Sequence, residues 1–223
     1  MGGNSMGLVG METPNASRPG GPTTSANLLA EGDRPGPIGM NNPSPPAEEL
    51  NSGGTVDAQT ILNYADSNEG FKVGTGQCFD LADLALKKAG AKSAADYGVV
   101  GKDTDYVWGS AVDLASVKPG DIIQFTNYKF VRKDFYDNDK ASGNTAAQGK
   151  RGSPRHTAIV KSVGADGKIT VWEQNISADG ETEGGPVQSC DLYFKSYTTG
   201  DEKNGVKVTV SGTIKFYRPQ PRK

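Results

Sequence analysis

Several features are scarce in this chain of 223 residues, and each scarcity excludes a class of protein. Two cysteines are too few for the disulfide framework of a small secreted domain, so we expect free thiols. No apolar run approaches the roughly 18 residues of a membrane span, and the N-terminus lacks the charge and apolar pattern of a signal peptide. With 24 basic and 26 acidic side chains, the charge balance disfavours a nucleic-acid partner. We therefore predict a protein without a membrane span that is cytoplasmic or delivered without a classical signal.

Residues 1–53 have few aromatic residues and are rich in Gly, Pro, Ser and Asn. Such a segment buries too little apolar surface to offset the entropy of ordering it, so we predict a disordered arm. Its PSPP stretch, residues 43–46, is suited to a polyproline conformation and is a candidate site for a protein partner. Residues 54–220 are then long enough for one folded domain with a single core.

Helical patterns come first in this domain, and strand patterns follow. The stretch from Thr55 to Gly70 predicts a short helix, and a second helix begins near Cys78 and stops near Gly90. The predicted strands are short and rich in Val, Ile, Thr and aromatic residues: KPGDIIQFTN, HTAIVKSVG, KITVWEQNI, VKVTVSG and TIKFYRP. Helices followed by a run of strands indicate an α+β fold with an antiparallel sheet.

A long polar stretch, residues 129–155, separates two of these strands and predicts a mobile loop. Its cationic residues Lys133, Lys150 and Arg151 suit an acidic peptide or a carboxylate, although a lysine-rich loop is more often solvated surface.

Cys78 follows a glycine-rich turn and stands at the start of the second predicted helix. Helix N-termini lower the pKa of a thiol, and the thiolate is the nucleophilic form of cysteine. The same backbone N–H groups, starting with that of Cys78, can bind an oxyanion, and Gln77 offers a side-chain donor. In isolation, a cysteine in a helix is more often a small buried apolar residue.

His156, the single histidine, begins the predicted strand HTAIV and is the candidate base for a nucleophilic cysteine. Glu173 and Asn175 are two residues apart on the next predicted strand, so their side chains share one face. The turn ADGK, residues 165–168, joins the two strands as a hairpin and brings His156 close to both. Either one can orient the imidazole as the third member of a triad, and each alone is also compatible with an ordinary surface role.

The remaining candidates have weaker support from the sequence. Trp108, Arg155 and Trp172 are candidate substrate-binding residues, with a buried structural role as the alternative for the two tryptophans. Cys190 lies in an ordinary strand or turn pattern and is assigned to packing. No metal or organic cofactor is expected.

Taken together, GQCFDLADLAL, WGSAV, KPGDIIQF, HTAIV and VWEQN resemble the CHAP branch of the NlpC-type cysteine peptidases and amidases. The resemblance covers about residues 55–219. It implies a papain-like α+β fold with the cysteine helix packed on an antiparallel sheet. It also implies catalytic roles for Cys78, His156 and Glu173, with Asn175 auxiliary or alternative.

The resemblance implies a cysteine amidase or peptidase that cleaves an amide through a thioester, in a peptide or a peptidoglycan-like substrate. Two alternatives remain open. One is a catalytically silent CHAP-like module for binding or scaffolding, in which the Pro-rich arm engages partner proteins. The other is a toxin-like effector with the same chemistry and a different destination.

Overall fold

The structure is a computed structural model that describes residues 55–101, 104–138, 141–164, 167–176 and 184–223. Two α-helices come first: α1 spans Ala58–Ser67 and α2 spans Cys78–Lys88. Asp57 caps α1, since its carboxylate accepts hydrogen bonds from the N–H groups of Gln59 and Thr60. Single turns of 3₁₀ helix at Ala94–Asp96 and Leu114–Ser116 precede the long strands.

Seven strands follow in the described part of the chain, with the bounds β1 Ser110–Val112, β2 Ile122–Asn138, β3 Ala141–Val163, β4 Lys168–Glu173, β5 Gln188–Tyr193, β6 Tyr197–Gly200 and β7 Gly205–Arg218. They form one sheet in the order β1-β7-β2-β3-β4-β5, with β6 added beside β7. Every pairing is antiparallel. The α+β class and the antiparallel sheet therefore agree with the prediction from sequence.

The prediction of a loop over residues 129–155 is wrong for the described residues of this stretch. These residues extend β2 and β3 into one long hairpin, paired from Tyr128 opposite Arg151 as far as Asn138 opposite Ala141. The inward-facing Phe130 is buried, and its ring lies 5.3 Å from that of Tyr193. Backbone hydrogen bonds and this apolar contact hold the stretch in a strand conformation. Its polar composition did not indicate a strand.

A β-bulge interrupts β2 where it pairs with β7: Asn127 and Tyr128 stand opposite the single residue Gly212, and Asn127 adopts a left-handed φ of 48°. A bulge adds one residue to one strand and so shifts the alternation of its side chains. As a result, Phe125 and Tyr128 lie on the same face, with ring centroids 4.9 Å apart, although they are three residues apart in the sequence.

Each face of the sheet carries its own apolar core. One core joins the helices to the sheet through Leu81, Leu86, Trp108, Ile159 and Trp172, among others. The other lies on the opposite face and includes Phe125, Tyr128, Val160, Val171 and Phe194. The alternation of Val171 and Trp172 between the two cores shows that β4 is covered on both faces.

Two sequence predictions fall partly outside the described residues. The arm over residues 1–53 and its boundary with the domain lie outside them, as do Ala165 and Asp166 of the predicted turn. On either side of that turn, β3 and β4 pair with Val163 opposite Ile169, as the hairpin prediction requires. Among the described residues, no helix is long and apolar enough to cross a membrane.

Candidate active site

Cys78 is the first residue of α2, and a capped turn fixes its position. The Asp80 carboxylate accepts hydrogen bonds from the Thr75 N–H at 2.7 Å and from the Gln77 N–H at 3.3 Å. Gly74, at φ 60°, lies so close that a Cβ there would be 2.8 Å from the Asp80 side chain. The glycine-rich turn therefore lets Asp80 fold back over the start of the helix and hold the loop that leads to Cys78.

The Gln174 side chain ties this loop to the end of β4. Its Oε1 accepts a hydrogen bond from the Val73 N–H at 2.9 Å. Its Nε2 donates to the carbonyls of Val73 and Gln77, at 3.0 and 2.6 Å. The residues before Cys78 are thus fastened directly to the strand that carries Glu173.

His156 lies on β3 and is buried, with its ring stacked on Phe125 at a centroid distance of 6.0 Å. Its Nε2 is 3.0 Å from Oε2 of Glu173, which is fully buried. The imidazole also interacts with the Cys78 thiol and lowers its pKa. Since Nε2 faces the carboxylate, Nδ1 is the ring nitrogen left for the thiol.

The electrostatics of this cluster favour a thiolate at Cys78. Burial alone would raise the pKa of the thiol, but the hydrogen bond from His156 and its positive charge hold that pKa below its ordinary value. The backbone N–H groups of Thr157 and Phe79 add to this lowering of the pKa. A histidine partner and an N–H group in the first turn of α2, that of Phe79, therefore both act on Cys78.

The pKa values of His156 and Glu173 are both shifted against the effect of burial. Burial would lower the pKa of His156, but its bonds to Cys78 and Glu173 raise it to about 9. Burial would raise the pKa of Glu173, but His156 and Arg151 lower it to about 2. Near neutral pH Glu173 is therefore a carboxylate and His156 an imidazolium, and this imidazolium favours the thiolate form of Cys78.

The sequence left Glu173 and Asn175 as alternative partners of His156, and only Glu173 has a described contact with the ring. Asn175 has a left-handed φ of 68°, and its Nδ2 donates to Oε1 of Gln77 at 3.2 Å. The Gln77 carboxamide is exposed, and the contact with Asn175 turns its Oε1 toward β4. This orientation leaves the Gln77 Nε2 as a donor at the edge of the site.

Arg151 occupies a position that the sequence did not predict. Instead of facing solvent in a loop, it is buried and forms a two-pronged ion pair with Glu173, in which Nε and Nη2 each lie 2.6 Å from a carboxylate oxygen. Lys133 and Lys150, which were grouped with it as loop residues, are exposed. The proposed role of Arg151 in binding substrate is thus replaced by a structural contact within the site.

The two tryptophans are also placed differently from the prediction. Trp108 and Trp172 are buried in the core between helices and sheet, with exposures of 0% and 1%, so neither presents a surface to a substrate. The Trp108 indole N–H donates to Oε1 of Gln124 at 3.0 Å, and the Thr157 hydroxyl donates to the same oxygen at 2.9 Å. This network supports β3 next to His156. The sequence reasoning overlooked Gln124, since nothing in KPGDIIQF distinguishes it from other strand residues.

Arg155 remains partly exposed next to His156 and is engaged with other side chains. It donates to the Thr126 hydroxyl and lies 4.0 Å from the Asp105 carboxylate. Lys215 contacts the same carboxylate at 2.5 Å. Two cations therefore contact one acid here, and a role for Arg155 in binding substrate stays a prediction.

Cys190 differs from Cys78 although both are free and half-buried. It lies on β5 opposite Val171. Burial and the nearby Glu173 carboxylate raise its pKa to about 11. This thiol is held protonated near neutral pH, which agrees with a packing role. Within the described ranges, no group of three or more His, Cys, Asp or Glu residues is placed to hold a metal ion.

The structure defines a class: an α+β domain with a cysteine at a helix start facing a histidine and a carboxylate on an antiparallel sheet. Residues 39–223 match the family described as the AIM3/BBC1 cysteine proteinase-fold domain, and the chain belongs to that family. The match begins inside the segment predicted as an arm. The CHAP or NlpC branch suggested by the sequence motifs stays a prediction.

A curated relative, "Altered inheritance of mitochondria protein 3" of Debaryomyces hansenii, is 30% identical over 153 residues. The alignment covers 63% of this chain and 15% of the relative. This chain therefore corresponds to a small part of that longer protein. No solved structure matches the chain.

Proposed function

We propose that the domain is a papain-like cysteine hydrolase that cleaves an amide bond in a peptide or a peptidoglycan-like substrate. The observation that carries this proposal is the contact between Cys78 and His156, with Glu173 3.0 Å behind the imidazole. A buried histidine with a raised pKa and a cysteine with a lowered pKa form the ion pair that nucleophilic cysteine catalysis uses. A binding module would gain nothing from keeping such a pair charged.

In the first half of the reaction, the Cys78 thiolate attacks the substrate carbonyl carbon and forms a tetrahedral adduct. The negative charge on the oxygen is stabilised by the backbone N–H of Cys78 at the start of α2 and by the Gln77 Nε2. His156 then gives a proton to the leaving amine, the C–N bond breaks, and a thioester with Cys78 remains.

In the second half, neutral His156 takes a proton from a water molecule, and the resulting hydroxide attacks the thioester carbonyl. The C–S bond breaks, the carboxylic acid product leaves, and the thiolate and imidazolium form again. Glu173 stays ionised throughout and holds the imidazole ring with its Nε2 toward the carboxylate.

The test is turnover of a library of fluorogenic peptide amides and of peptidoglycan fragments by the whole chain. We expect product release that falls by more than about 10³-fold in Cys78→Ala, because the nucleophile is lost. Cys190→Ala is the matched control, since it removes the other thiol and should leave turnover unchanged. Equal turnover in Cys78→Ala contradicts the proposal, and a lack of turnover of every amide by the parent protein favours the binding-module alternative.

A further inference from the structure

Arg151 is a buried, charged residue for which the mechanism above gives no role. Its side chain is 5% exposed and the Glu173 side chain 0%, so this ion pair is shielded from water. Nε donates to Oε2 of Glu173 and Nη2 to Oε1, both at 2.6 Å, while Nη1 donates to the Lys150 carbonyl at 2.6 Å. Burying an arginine and a carboxylate costs desolvation energy, so the pair is weak support for a purely stabilising role.

The shared oxygen links this ion pair to the candidate catalytic residues. Oε2 of Glu173 accepts from the Arg151 Nε and also contacts the His156 Nε2 at 3.0 Å. A glutamate has three rotatable side-chain bonds, and a carboxylate held only by an imidazole is free to tilt. The planar guanidinium binds both oxygens at once and fixes the plane of the carboxylate.

We propose that Arg151 is a positioning residue that acts through Glu173: it keeps this carboxylate ionised and aimed at His156, so that the Cys78–His156 pair forms. This inference rests on the proposed function, since it concerns the same site. It goes further because it adds a fourth residue to Cys78, His156 and Glu173: Arg151, from the outer part of the β2–β3 hairpin, which helps to align the histidine.

The reason lies in the balance of charge around a buried carboxylate. His156 and Arg151 both lower the pKa of Glu173, against the effect of burial. The other titratable groups that face Glu173, Cys190 and Tyr128, have raised pKa values and stay neutral, so without Arg151 the imidazolium is the one cation left to oppose burial, and Glu173 takes up a proton more readily as the pH falls. A neutral Glu173 no longer anchors the imidazolium against Cys78, so the thiolate loses its cationic neighbour and takes up a proton at a higher pH than in the parent protein.

The experiment measures the rate of Cys78 alkylation by iodoacetamide as a function of pH, resolved by mass spectrometry, for Arg151→Met and Arg151→Lys. For Arg151→Met we expect the acidic limb of the profile to shift to higher pH by about one unit. At a given pH on that limb, the alkylation rate then falls about tenfold. Lysine keeps the charge and loses the two-pronged geometry, so the limb should move by less than about half a unit while amide turnover falls about tenfold.

Arg132 provides a matched control. It makes a similar two-pronged pair with Asp134 on the outer part of β2, at 2.6 to 3.0 Å, and this pair is partly exposed. Arg132→Met should leave the profile of Cys78 unchanged. Thermal unfolding of each variant identifies any that fail to fold, and Arg151→Lys keeps the test valid if Arg151→Met is one of them.

A double-variant cycle shows whether Arg151 acts through Glu173. In a Glu173→Gln background there is no carboxylate to ionise, so Arg151→Met should add little to the shift already present. An equal shift in both backgrounds overturns the inference, as does an unchanged profile in folded Arg151→Met. If the parent Cys78 instead titrates as an ordinary thiol, it is the proposed function that fails, so the two failures are distinguishable.

Discussion

Cys78 and Cys190 are both free and half-buried, and the Glu173 carboxylate influences both, but their pKa values move in opposite directions. At Cys190, burial and then the negative charge of the adjacent Glu173 raise the pKa of the thiol to about 11. At Cys78 the same carboxylate acts through His156, whose positive charge stabilises the thiolate. Burial raises the pKa of both thiols; at Cys78 the imidazolium outweighs this effect, whereas at Cys190 the carboxylate adds to it despite the nearby Arg151.

Replacing His156 should abolish this difference and has the largest expected effect. In His156→Ala, the cysteine loses its cationic partner and amide turnover loses its proton donor. We expect turnover to fall by about 10³-fold, within the range for loss of a general acid and base. The alkylation rate of Cys78 near pH 6 should fall at least about tenfold, because an ordinary thiol with a pKa of about 8.5 is almost fully protonated there.

Cys190 serves as the internal reference for that experiment. The groups that set its pKa besides burial are Glu173 and Arg151, and His156 is not among them. Its alkylation should therefore change little in His156→Ala, provided that the protein folds. If Cys78 keeps its parent rate while Cys190 is also unchanged, the histidine does not activate the thiol.

A smaller effect is expected from Asn175, which holds the Gln77 carboxamide. Glycine at this position tolerates the left-handed φ of 68° and removes only the side chain, so Asn175→Gly tests the contact without backbone strain. We expect turnover to fall about tenfold, less than for direct loss of an oxyanion donor, with the alkylation rate of Cys78 unchanged. If the alkylation rate of Cys78 falls together with turnover, Asn175 acts on the thiol, and this result would contradict an oxyanion role for Gln77.

Much of the helix and strand pattern around the site was predictable from the sequence. The second helix begins at Cys78, as the glycine-rich turn and the apolar spacing indicate, and His156 and Glu173 meet because a hairpin joins their strands. These features depend on local patterns, which a single sequence carries. The choice of Glu173 over Asn175 was not predictable, because it depends on the left-handed backbone of Asn175 just after β4 ends.

The position of Arg151 illustrates why other features could not be predicted. In a regular strand, residues 151 and 156 point to opposite faces, since they are separated by an odd number of positions. The register shift between Thr126 and Tyr128, together with the left-handed Gly152, places Arg151 on the same face as His156. Such an irregularity depends on pairing with a distant strand, and the polar composition of the hairpin pointed to a loop instead.

The most direct test of the account is the pH dependence of alkylation at Cys78 and Cys190, measured in the same parent molecules by mass spectrometry. Since the pKa of Cys78 is lowered and that of His156 is raised to about 9, the ion pair exists from below the ordinary thiol range up to about pH 9. Cys78 should therefore react well below the pH of an ordinary thiol, and Cys190 only as the pH approaches about 11. Amide turnover should fall above about pH 9, where His156 loses its proton. Superimposable alkylation profiles for the two cysteines would contradict the account.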